Sequence, residues 1–503
     1  SIQMKLSLVG IGAVLGLDDD GFCVIREIVP GGPADLSGQI KVNDKITLVQ
    51  QPTTEPVDIV GMKLRRIVDM IRGQKGTKVE LTIQSGNPAD NGKTKQVTIV
   101  RDVIKLNSAR ATASVYDVPG ADGNPIPVGV IALNSFYGPS DDTTEGAPQN
   151  SATKDVAELV GKLKKEGIKA LVIDLRRNGG GLLSEAVNMT GLFVGQGPVV
   201  QVRDSLGRLI VDNNTDTPLS YDGPVTVLTS RFSASASEIF AGPLQNYGRA
   251  LIVGDSATHG KGTVQAVLEM KTYLPRLAEN VANRTGAAKL TIQKFYLPNG
   301  ASTQKKGVVP DIALPSVDDY LPIGESSLPH ALMWDEIKST PFDGKPLAKT
   351  FVEPLAQASL DRQHSLEEFT YLQESVNRFK DQMEKKVVSL NLEDRRAQKK
   401  DDEEFKKKMD TELARLAKND FPHREIKLAS VLAAEAAGQK PAEKTAATDD
   451  GDTDSLDEDT AAKLDIHLRE ALRVVIDAAR LSKDPQYWAN GTAPLAPVGS
   501  TRG

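Results

Sequence analysis

The sequence predicts an α/β layered core, preceded by a small β-rich domain and followed by a mostly helical region. Strand-like and helix-like segments alternate from about residue 107 to 316, which is typical of layered α/β folds. Beyond about residue 319, long charged stretches with sparse apolar positions indicate helices. The predicted domains are 1–104, 105–318 and 319–503, with a disordered acidic linker at about 434–460.

Composition bounds the class of protein. The chain has 503 residues, which suits about three domains, and its 39% hydrophobic and 25% charged residues are ordinary for a soluble globular protein. A net charge of −6 gives no basic field for nucleic acid or anionic membrane. Cys23, the only cysteine, excludes an intrachain disulfide and a multi-cysteine metal site. Because the chain starts at Ser1 without a signal peptide, we expect a truncated chain.

The elements of the first domain follow from residue type and spacing. Short β-branched runs predict strands at 24–25, 46–49, 79–83 and 97–100. Apolar residues at helical spacing from Val57 to Ile71 predict one helix over that span. Gly31 and Gly32 predict a turn, and Pro33 and Ala34 a helix start directly after it.

The central domain alternates regularly. Apolar runs predict strands at 128–133, 170–174, 225–229 and 249–254, and apolar faces predict helices at about 156–163, 184–192 and 238–247. Ser151 or Thr153 is the expected cap of the first of these helices. Residues 141–150 suggest a surface insertion. After the central domain we expect helices within 351–418 and over 465–481, and an unstructured tail beyond Pro485.

A run of small residues follows the predicted strand at 225–229. Ser235 lies in the S-A-S-A-S run where this strand gives way to a helix, so its side chain would be exposed at the end of the sheet. The N–H of Ala236 would then be a free helix N-terminal donor that could stabilise an oxyanion. Gly180 or Gly181, after another strand, could supply the second N–H, since glycine lets a substrate approach the backbone closely.

Lys261 follows the next predicted strand in a glycine-flanked loop. A lysine acts as a base only when neutral, so its pKa must fall by several units, which burial without a carboxylate partner can achieve. Gln265 could hold the amine in place without adding charge. A serine beside a neutral lysine is one known solution to acyl transfer.

Each segment alone has an ordinary structural explanation. Serines before a helix are usually N-caps, a lysine between glycines is usually solvated, and the glycines at 179–181 suit a tight turn. A phosphate-binding loop is excluded because Gly262 stands where serine or threonine is needed. His259 remains an alternative base, whereas the absence of G-x-S-x-G around Ser235 argues against an α/β-hydrolase.

Taken together, these segments resemble the C-terminal processing peptidases, also called tail-specific proteases. The resemblance lies in the chain order G-G-G, S-A-S-A-S-E-I-F, Y-G-R-A-L-I-V-G and G-K-G-T-V-Q. Residues 10–15, 31–34 and 42–46 are similar to the signatures of a PDZ domain, and 290–296 and 306–312 to later core strands of the family. The helical C-terminal region is similar to that of the long, Gram-negative periplasmic subgroup.

The resemblance implies a fold and a set of site residues. The fold would be a crotonase-like ββα protease core with an N-terminal PDZ domain and a mostly helical C-terminal region. The implied roles are Ser235 as nucleophile, Lys261 as general base, Gln265 as the residue that orients the lysine, and Ala236 with Gly180 or Gly181 as oxyanion donors. The loop that captures the peptide carboxylate would comprise Gly10, Ile11, Gly12, Ala13 and Val14.

The resemblance also implies an activity and its partners. The chain would be a periplasmic serine endopeptidase that recognises apolar C-terminal tails of proteins and needs no metal or nucleotide. An adaptor lipoprotein and a second copy of the chain are candidate partners, whereas nucleic acid and a membrane span are not expected.

Two departures from the family pattern keep rival hypotheses open. Asn246 replaces an acidic residue that some relatives carry, and the loop at 255–259 is one residue longer. A degenerate protease that only binds tails through its PDZ domain would fit both departures. A latent protease, in which Lys261 sits out of reach of Ser235 until a tail binds, is the third hypothesis.

Overall fold

The computed structural model describes residues 7–18, 20–29, 32–86, 92–105, 109–120, 122–138, 150–215, 218–270, 286–385, 387–436, 464–487 and 493–497. The chain forms two compact units. The first comprises residues 1–110, 137–150 and 427–454, and the second residues 111–136, 151–426 and 455–503.

The strands described in the first unit are short and pair in antiparallel fashion. Its strands are β1 (Ser7–Gly10), β2 (Ala13–Leu17), β3 (Cys23–Ile28), β4 (Lys45–Gln50), β5 (Val57–Asp58), β6 (Lys78–Gln84), β7 (Thr94–Val100) and β8 (Asp102–Lys105). The main sheet has the order β2-β3-β4-β6-β7, β5 pairs with β4, and β1 pairs with β8. Helices α1 (Pro33–Ser37) and α2 (Leu64–Ile71) complete the described part. Ile25, Ile46, Ile67 and Leu81 belong to its core.

The predicted helix over 57–71 is wrong in its first half. Val57 and Asp58 form β5, opposite Val49 and Leu48 of β4. Gly61 then takes a left-handed conformation at φ +74°, which interrupts any helix, and α2 begins only at Leu64. The apolar spacing of residues 57 and 60 therefore comes from a strand and a turn.

The second unit contains a seven-stranded sheet that carries the candidate site. In chain order the strands are β9 (Thr112–Pro119), β10 (Pro125–Ala132), β11 (Ala170–Asp174), β14 (Val225–Thr229), β15 (Leu251–Gly254), β18 (Ile312–Ala313) and β19 (His423–Ile426). The order across the sheet is β18-β15-β14-β11-β10-β9-β19. The five strands from β10 to β18 run parallel, so their carboxyl ends meet along one edge. All five residues of β14 are buried, as expected for a parallel strand covered on both faces.

Helices connect the parallel strands, as the alternation predicts. They are α3 (Ala152–Lys165), α4 (Leu183–Val194) and α5 (Ala236–Asn246). Ser151 is the N-cap of α3 and accepts from the Lys154 N–H at 3.3 Å, so of the two expected caps Ser151 is confirmed. Residues 141–149 of the predicted insertion lie outside the described residues.

A second, antiparallel sheet lies within the same unit. It comprises β12 (Gly197–Asp204), β13 (Leu209–Asn214), β16 (Thr263–Glu269) and β17 (Ala287–Tyr296), in the order β13-β12-β17-β16. Strand β16 begins two positions after Lys261. The pairing of β16 with β17 shifts register between Val264 and Gln265.

The C-terminal region is helical, as predicted. It contains α6 (Lys349–Ser365), α7 (Glu367–Glu384), α8 (Leu392–Ala417), α9 (Ala429–Ala436) and α10 (Ile466–Leu481). The expected linker at 434–460 is wrong at its start, because α9 continues to Ala436, and its remainder lies outside the described residues. Of the helices that the structure describes, none has the length and apolar character of a membrane span.

The tail beyond Pro485 is not unstructured where it is described. Residues Pro485–Tyr487 form a 3₁₀ turn. Leu495 is buried and its carbonyl accepts from the Arg249 guanidinium at 2.9 Å. Arg249 is itself fully buried, and desolvation lowers its pKa to about 10. This tail segment therefore satisfies a donor that would otherwise be buried without an acceptor.

Candidate active site

Ser235 lies at a strained turn at the carboxyl edge of the parallel sheet. It is the N-cap residue of α5, at φ 56° and ψ −110°, a conformation that non-glycine residues rarely adopt and that concentrates at functional sites. The strand before it, β14, fixes where this turn starts, and α5 fixes where it ends.

The three serines of the run differ in burial and in hydrogen bonding. Ser233 and Ser237 are fully buried, and their hydroxyls donate to the carbonyls of Leu175 and Asn178, both at 2.8 Å. Ser235 is only half-buried. The outer serines are therefore structural, and the middle serine is the one whose side chain can meet a substrate.

A buried glutamate joins the turn that contains Ser235, here called the serine turn, to the loop that contains Lys261, here called the lysine loop. Glu238 is fully buried on the first turn of α5. Its Oε2 accepts from the backbone N–H of Ser235 at 2.7 Å and from that of Lys261 at 3.1 Å. Its Oε1 accepts from the Gly260 N–H at 2.8 Å and the Thr258 hydroxyl at 2.6 Å. One carboxylate thus holds the backbones of both expected catalytic positions.

The electrostatics of Glu238 reflect two opposing causes. Burial raises the pKa of its carboxyl group to about 7, while the hydrogen bonds from Thr258, Gly260, Ser235 and Lys261 each act to lower it. Because donors that point at a carboxylate favour its charged form, these four bonds limit the effect of burial.

The lysine loop is held from its other side by the segment that follows β17. The Thr303 hydroxyl donates to the Lys261 carbonyl at 2.9 Å, and the Gly262 N–H donates to Gln304 Oε1 at 2.9 Å. The Lys305 N–H donates to the Gly260 carbonyl at 2.7 Å. With Glu238 on the opposite side, the backbone of this loop has almost no freedom to shift.

The Lys261 side chain meets Gln265, as the sequence predicts. Its Nζ donates to Gln265 Oε1 at 3.3 Å. Desolvation by burial lowers the pKa of Lys261, and the positive charge of Lys289 lowers it further, against the opposite effect of Glu325 and Glu238. A larger fraction of the amine is therefore neutral at a given pH than for a solvated lysine.

The loop at 175–181, here called the glycine loop, lies directly against the serine turn. A Cβ on Gly180 would stand 2.9 Å from the Ser235 Cβ and 3.2 Å from the Ala236 nitrogen. The Gly180 N–H already donates to Asn178 Oδ1 at 2.9 Å. Gly181 bridges to Phe136 in a parallel register, which directs its own N–H away from that partner. Of the two glycines, Gly181 is thus the better candidate donor.

Asn178 ties the glycine loop to the serine turn. Its carbonyl accepts from the Ala234 N–H at 3.1 Å and from the Ser237 hydroxyl at 2.8 Å. Its side-chain amide donates to the Leu133 carbonyl at 2.9 Å. Hydrogen bonds to Asn178 therefore connect the glycine loop directly to the serine turn.

Asn246 lies far from Ser235 along α5, whereas the His259 N–H donates to the Ser233 carbonyl at 2.9 Å. Asn246 ends α5, roughly 16 Å from the N-cap at 1.5 Å per residue, and its side chain accepts from the Asn299 N–H at 3.3 Å. Burial lowers the pKa of His259. Among the hydrogen bonds of the described residues, none joins the Ser235 hydroxyl to either His259 or Lys261.

Sequence reasoning missed Glu238 and Asn178. The S-x-x-E spacing of Ser235 and Glu238 is that of a capping box, so the signal for Glu238 was present. Asn178 has no comparable signal, because its partners Leu133 and Ala234 are distant in sequence.

Three family models match successive parts of the chain. Residues 127–314 match peptidase family S41, residues 319–480 match the C-terminal domain of tail-specific protease, and residues 1–84 match the PDZ domain. The central part of the chain, residues 127–314, is therefore similar to peptidase family S41. The S41 match contains the serine turn, the glycine loop and the lysine loop of the candidate site.

The chain is also similar to individual proteins. A tail-specific protease of Haemophilus influenzae is 38% identical over 80% of this chain and 54% of its own length. The chain spans about half the length of the curated relatives it matches. A photosystem II D1 C-terminal processing protease is 27% identical over 61% of this chain and 72% of its own, with a TM-score of 0.33.

A solved PDZ domain is also similar to part of this chain. The PDZ domain of a carboxy-terminal protease from Vibrio cholerae, solved in complex with a peptide, is 46% identical over 20% of this chain and 100% of its own, with a TM-score of 0.19. The peptidase match and the PDZ match thus fall on different parts of the chain.

Proposed function

We propose that this chain is a serine endopeptidase that recognises the C-terminal tails of proteins and cleaves by acyl-enzyme chemistry with a Ser-Lys dyad. The observation that carries the proposal is the shared carboxylate: Glu238 Oε2 accepts from the backbone N–H groups of both Ser235 and Lys261. Two loops from different strand ends are thereby held side by side, one with a half-buried serine and the other with a lysine of lowered pKa.

Each residue has a defined part in the proposed reaction. The neutral Lys261 Nζ takes the hydroxyl proton as Ser235 Oγ attacks the scissile carbonyl. The N–H groups of Ala236 and Gly181 stabilise the oxyanion. Lys261 then gives its proton to the leaving amine as the C–N bond breaks, and water hydrolyses the acyl-enzyme with Lys261 again as base. Gln265 holds the amine without adding charge.

In the structure Nζ donates to Gln265, and we propose that Lys261 approaches the Ser235 hydroxyl for the proton transfer. Catalytic hydrogen bonds often tighten only when substrate is bound. We propose that binding of a tail at the PDZ domain favours this approach. A rise in cleavage rate with added tail peptide would support that step, and a flat response would contradict it.

The tail site is proposed on the first unit. Strand β2 occupies one edge of its sheet, where an extended peptide could add a strand. Residues Gly10, Ile11, Gly12, Ala13 and Val14 would receive the terminal carboxylate, with Gly12 at φ +76° as part of the loop. Leu64 and Val68 of α2 are half-buried and would give an apolar wall, which suits apolar tails.

The test is cleavage of a folded protein with an apolar C-terminal tail. We expect Ser235→Ala and Lys261→Ala to abolish cleavage, and Ser256→Ala and Lys306→Ala, on exposed positions nearby, to retain it. Replacing the last two tail residues with aspartate should raise the KM. Undiminished cleavage by either site variant would refute the mechanism.

The scaffold hypothesis gives a different result in the same experiment. A tail that binds the wild-type chain but is never cleaved, with no covalent adduct on Ser235, would favour it over the peptidase. The periplasmic location, an adaptor lipoprotein and self-association remain predictions from the family resemblance.

A further inference from the structure

The helix α10, far from the site in sequence, covers part of the sheet that carries the site. Leu472, Val475 and Ala478 of this helix belong to the same buried cluster as Val172 of β11 and Leu228 of β14. These two strands lead directly into the glycine loop and the serine turn. The C-terminal helix is therefore part of the core beneath the candidate site.

The first residue before α10 connects it to that edge of the sheet. Asp465 is the N-cap, and its Oδ1 accepts from the Leu468 N–H at 2.9 Å. The same carboxylate accepts two bonds from Arg176, at 2.8 Å from Nη1 to Oδ1 and at 2.6 Å from Nη2 to Oδ2. Two parallel bonds of this kind fix the planes of both groups.

Arg176 lies at the start of the loop that holds the glycines. Asp174, the last residue of β11, binds its guanidinium from the other side, with Nε 3.0 Å from Oδ1. The Arg176 carbonyl accepts from the Ser230 hydroxyl, and the Ser230 N–H donates to Ser233 Oγ at 2.9 Å. The Arg176 guanidinium thus binds Asp465 at the start of α10, and the Arg176 carbonyl binds Ser230 in the turn before Ser235.

We infer that Asp465 is a positioning residue for the peptidase site, which acts through Arg176 on the loop at 175–181. The ion pair orients Arg176, whose neighbours Leu175 and Asn178 accept the hydrogen bonds of Ser233, Ala234 and Ser237. Loss of the Asp465 carboxylate would leave Arg176 with Asp174 alone and let the loop shift. The inference about catalysis rests on the proposed function; the inference about the loop does not.

Other ion pairs also attach α10 to the rest of the unit. They allow a positioning role of Asp465 to be distinguished from simple attachment of the helix. Arg362 of α6 binds Glu470 at 2.9 Å and Asp477 at 2.8 Å. Arg469 binds Asp420 at 2.8 Å. These pairs join the same helix to Arg362 of α6 and to Asp420, rather than to Arg176. Asp477 is therefore a matched control for Asp465, with side-chain exposures of 23% and 39% respectively.

The experiment compares Asp465→Asn and Asp477→Asn in the full chain. For Asp465→Asn we expect kcat to fall about tenfold or more, because a shift of about 1 Å at a site costs about a hundredfold, with little change in KM for the tailed protein. For Asp477→Asn we expect wild-type kcat at a comparable loss of Tm. Arg176→Lys, which keeps the charge but cannot bridge two carboxylates, should behave like Asp465→Asn.

Hydrogen exchange supplies a readout that does not depend on cleavage. We expect faster amide exchange at residues 175–181 in Asp465→Asn and unchanged exchange there in Asp477→Asn. Equal kcat and equal exchange in the two variants would overturn the inference. If the wild-type chain cleaves nothing, the proposed function fails, while the exchange comparison still supports or overturns the link from Asp465 to the loop.

Discussion

Replacing Gly180 with alanine should damage the site, whereas the same change at Gly179 should not. A Cβ at Gly180 would stand 2.9 Å from both the Ala234 carbonyl oxygen and the Ser235 Cβ, and the residue has φ +109°. At Gly179 nothing lies within 4 Å of the added Cβ. The two substitutions add the same atom to adjacent residues of one loop.

The magnitude follows from these contacts. Unfavourable backbone conformation costs of the order of 1–3 kcal/mol, and overpacking typically adds about 1–3 kcal/mol. To reach an ordinary separation of 3.4 Å from 2.9 Å, the loop and the serine turn must part by about 0.5 Å. Since about 1 Å of misplacement costs about a hundredfold in rate, we expect roughly a tenfold loss of kcat/KM.

The assay is steady-state cleavage of the tailed protein, with thermal unfolding of each variant. We expect Gly180→Ala to lose both stability and kcat/KM, and Gly179→Ala to remain within about twofold of wild type. Wild-type activity of Gly180→Ala, or an equal loss in Gly179→Ala, would show that the loop is not packed against the nucleophile as described.

Two further predictions concern charge at the site. Glu325→Gln should lower the pKa of Lys261 further and move the rising limb of the pH–activity profile to lower pH, and Lys289→Gln should move it to higher pH, because these neighbours act in opposite directions; shifts of the same sign would contradict a lysine base. Glu238→Gln should lower the free energy of unfolding by about 1–3 kcal/mol, as measured by denaturant unfolding, because the amide nitrogen cannot accept and a buried donor is left unpaired. The pKa of Glu238 is about 7 in the folded chain and 4.5 in the unfolded chain. Its contribution to stability is therefore present below pH 4.5 and is lost as pH rises to about 7. If the free energy of unfolding of the variant depends on pH as that of the wild type does, this reasoning is refuted.

The proximity of the site residues could be predicted because it depends on local patterns. Ser235, Gly180 and Lys261 each follow a buried strand, and parallel strands bring their carboxyl ends to one edge of a sheet. The choice of Ser235 over its neighbours could not be made from residue type alone. It depends on the partners of Ser233 and Ser237 at Leu175 and Asn178, which are distant in sequence.

Two of the wrong predictions, the helix over 57–71 and the unstructured tail, have identifiable physical causes. Val57 has apolar spacing that suits a helix, yet it pairs with β4 because Gly61 stops the helix from starting earlier. Leu495 follows a polar, proline-containing stretch, yet its carbonyl lies on buried Arg249. For Leu495 a partner remote in sequence overrides the local signal, and single-sequence patterns carry no information about such a partner.

The contact of Asp465 with Arg176 has a consequence for synthesis of the chain. Ser235 and Lys261 leave the ribosome well before residue 465, and domains of growing chains fold as units from the N-terminus. A nascent chain that lacks α10 exposes the apolar face of β11 and β14 and has no carboxylate to hold Arg176 from the second side. We expect the loop at 175–181 to reach its described arrangement only after residues 465–481 have been made.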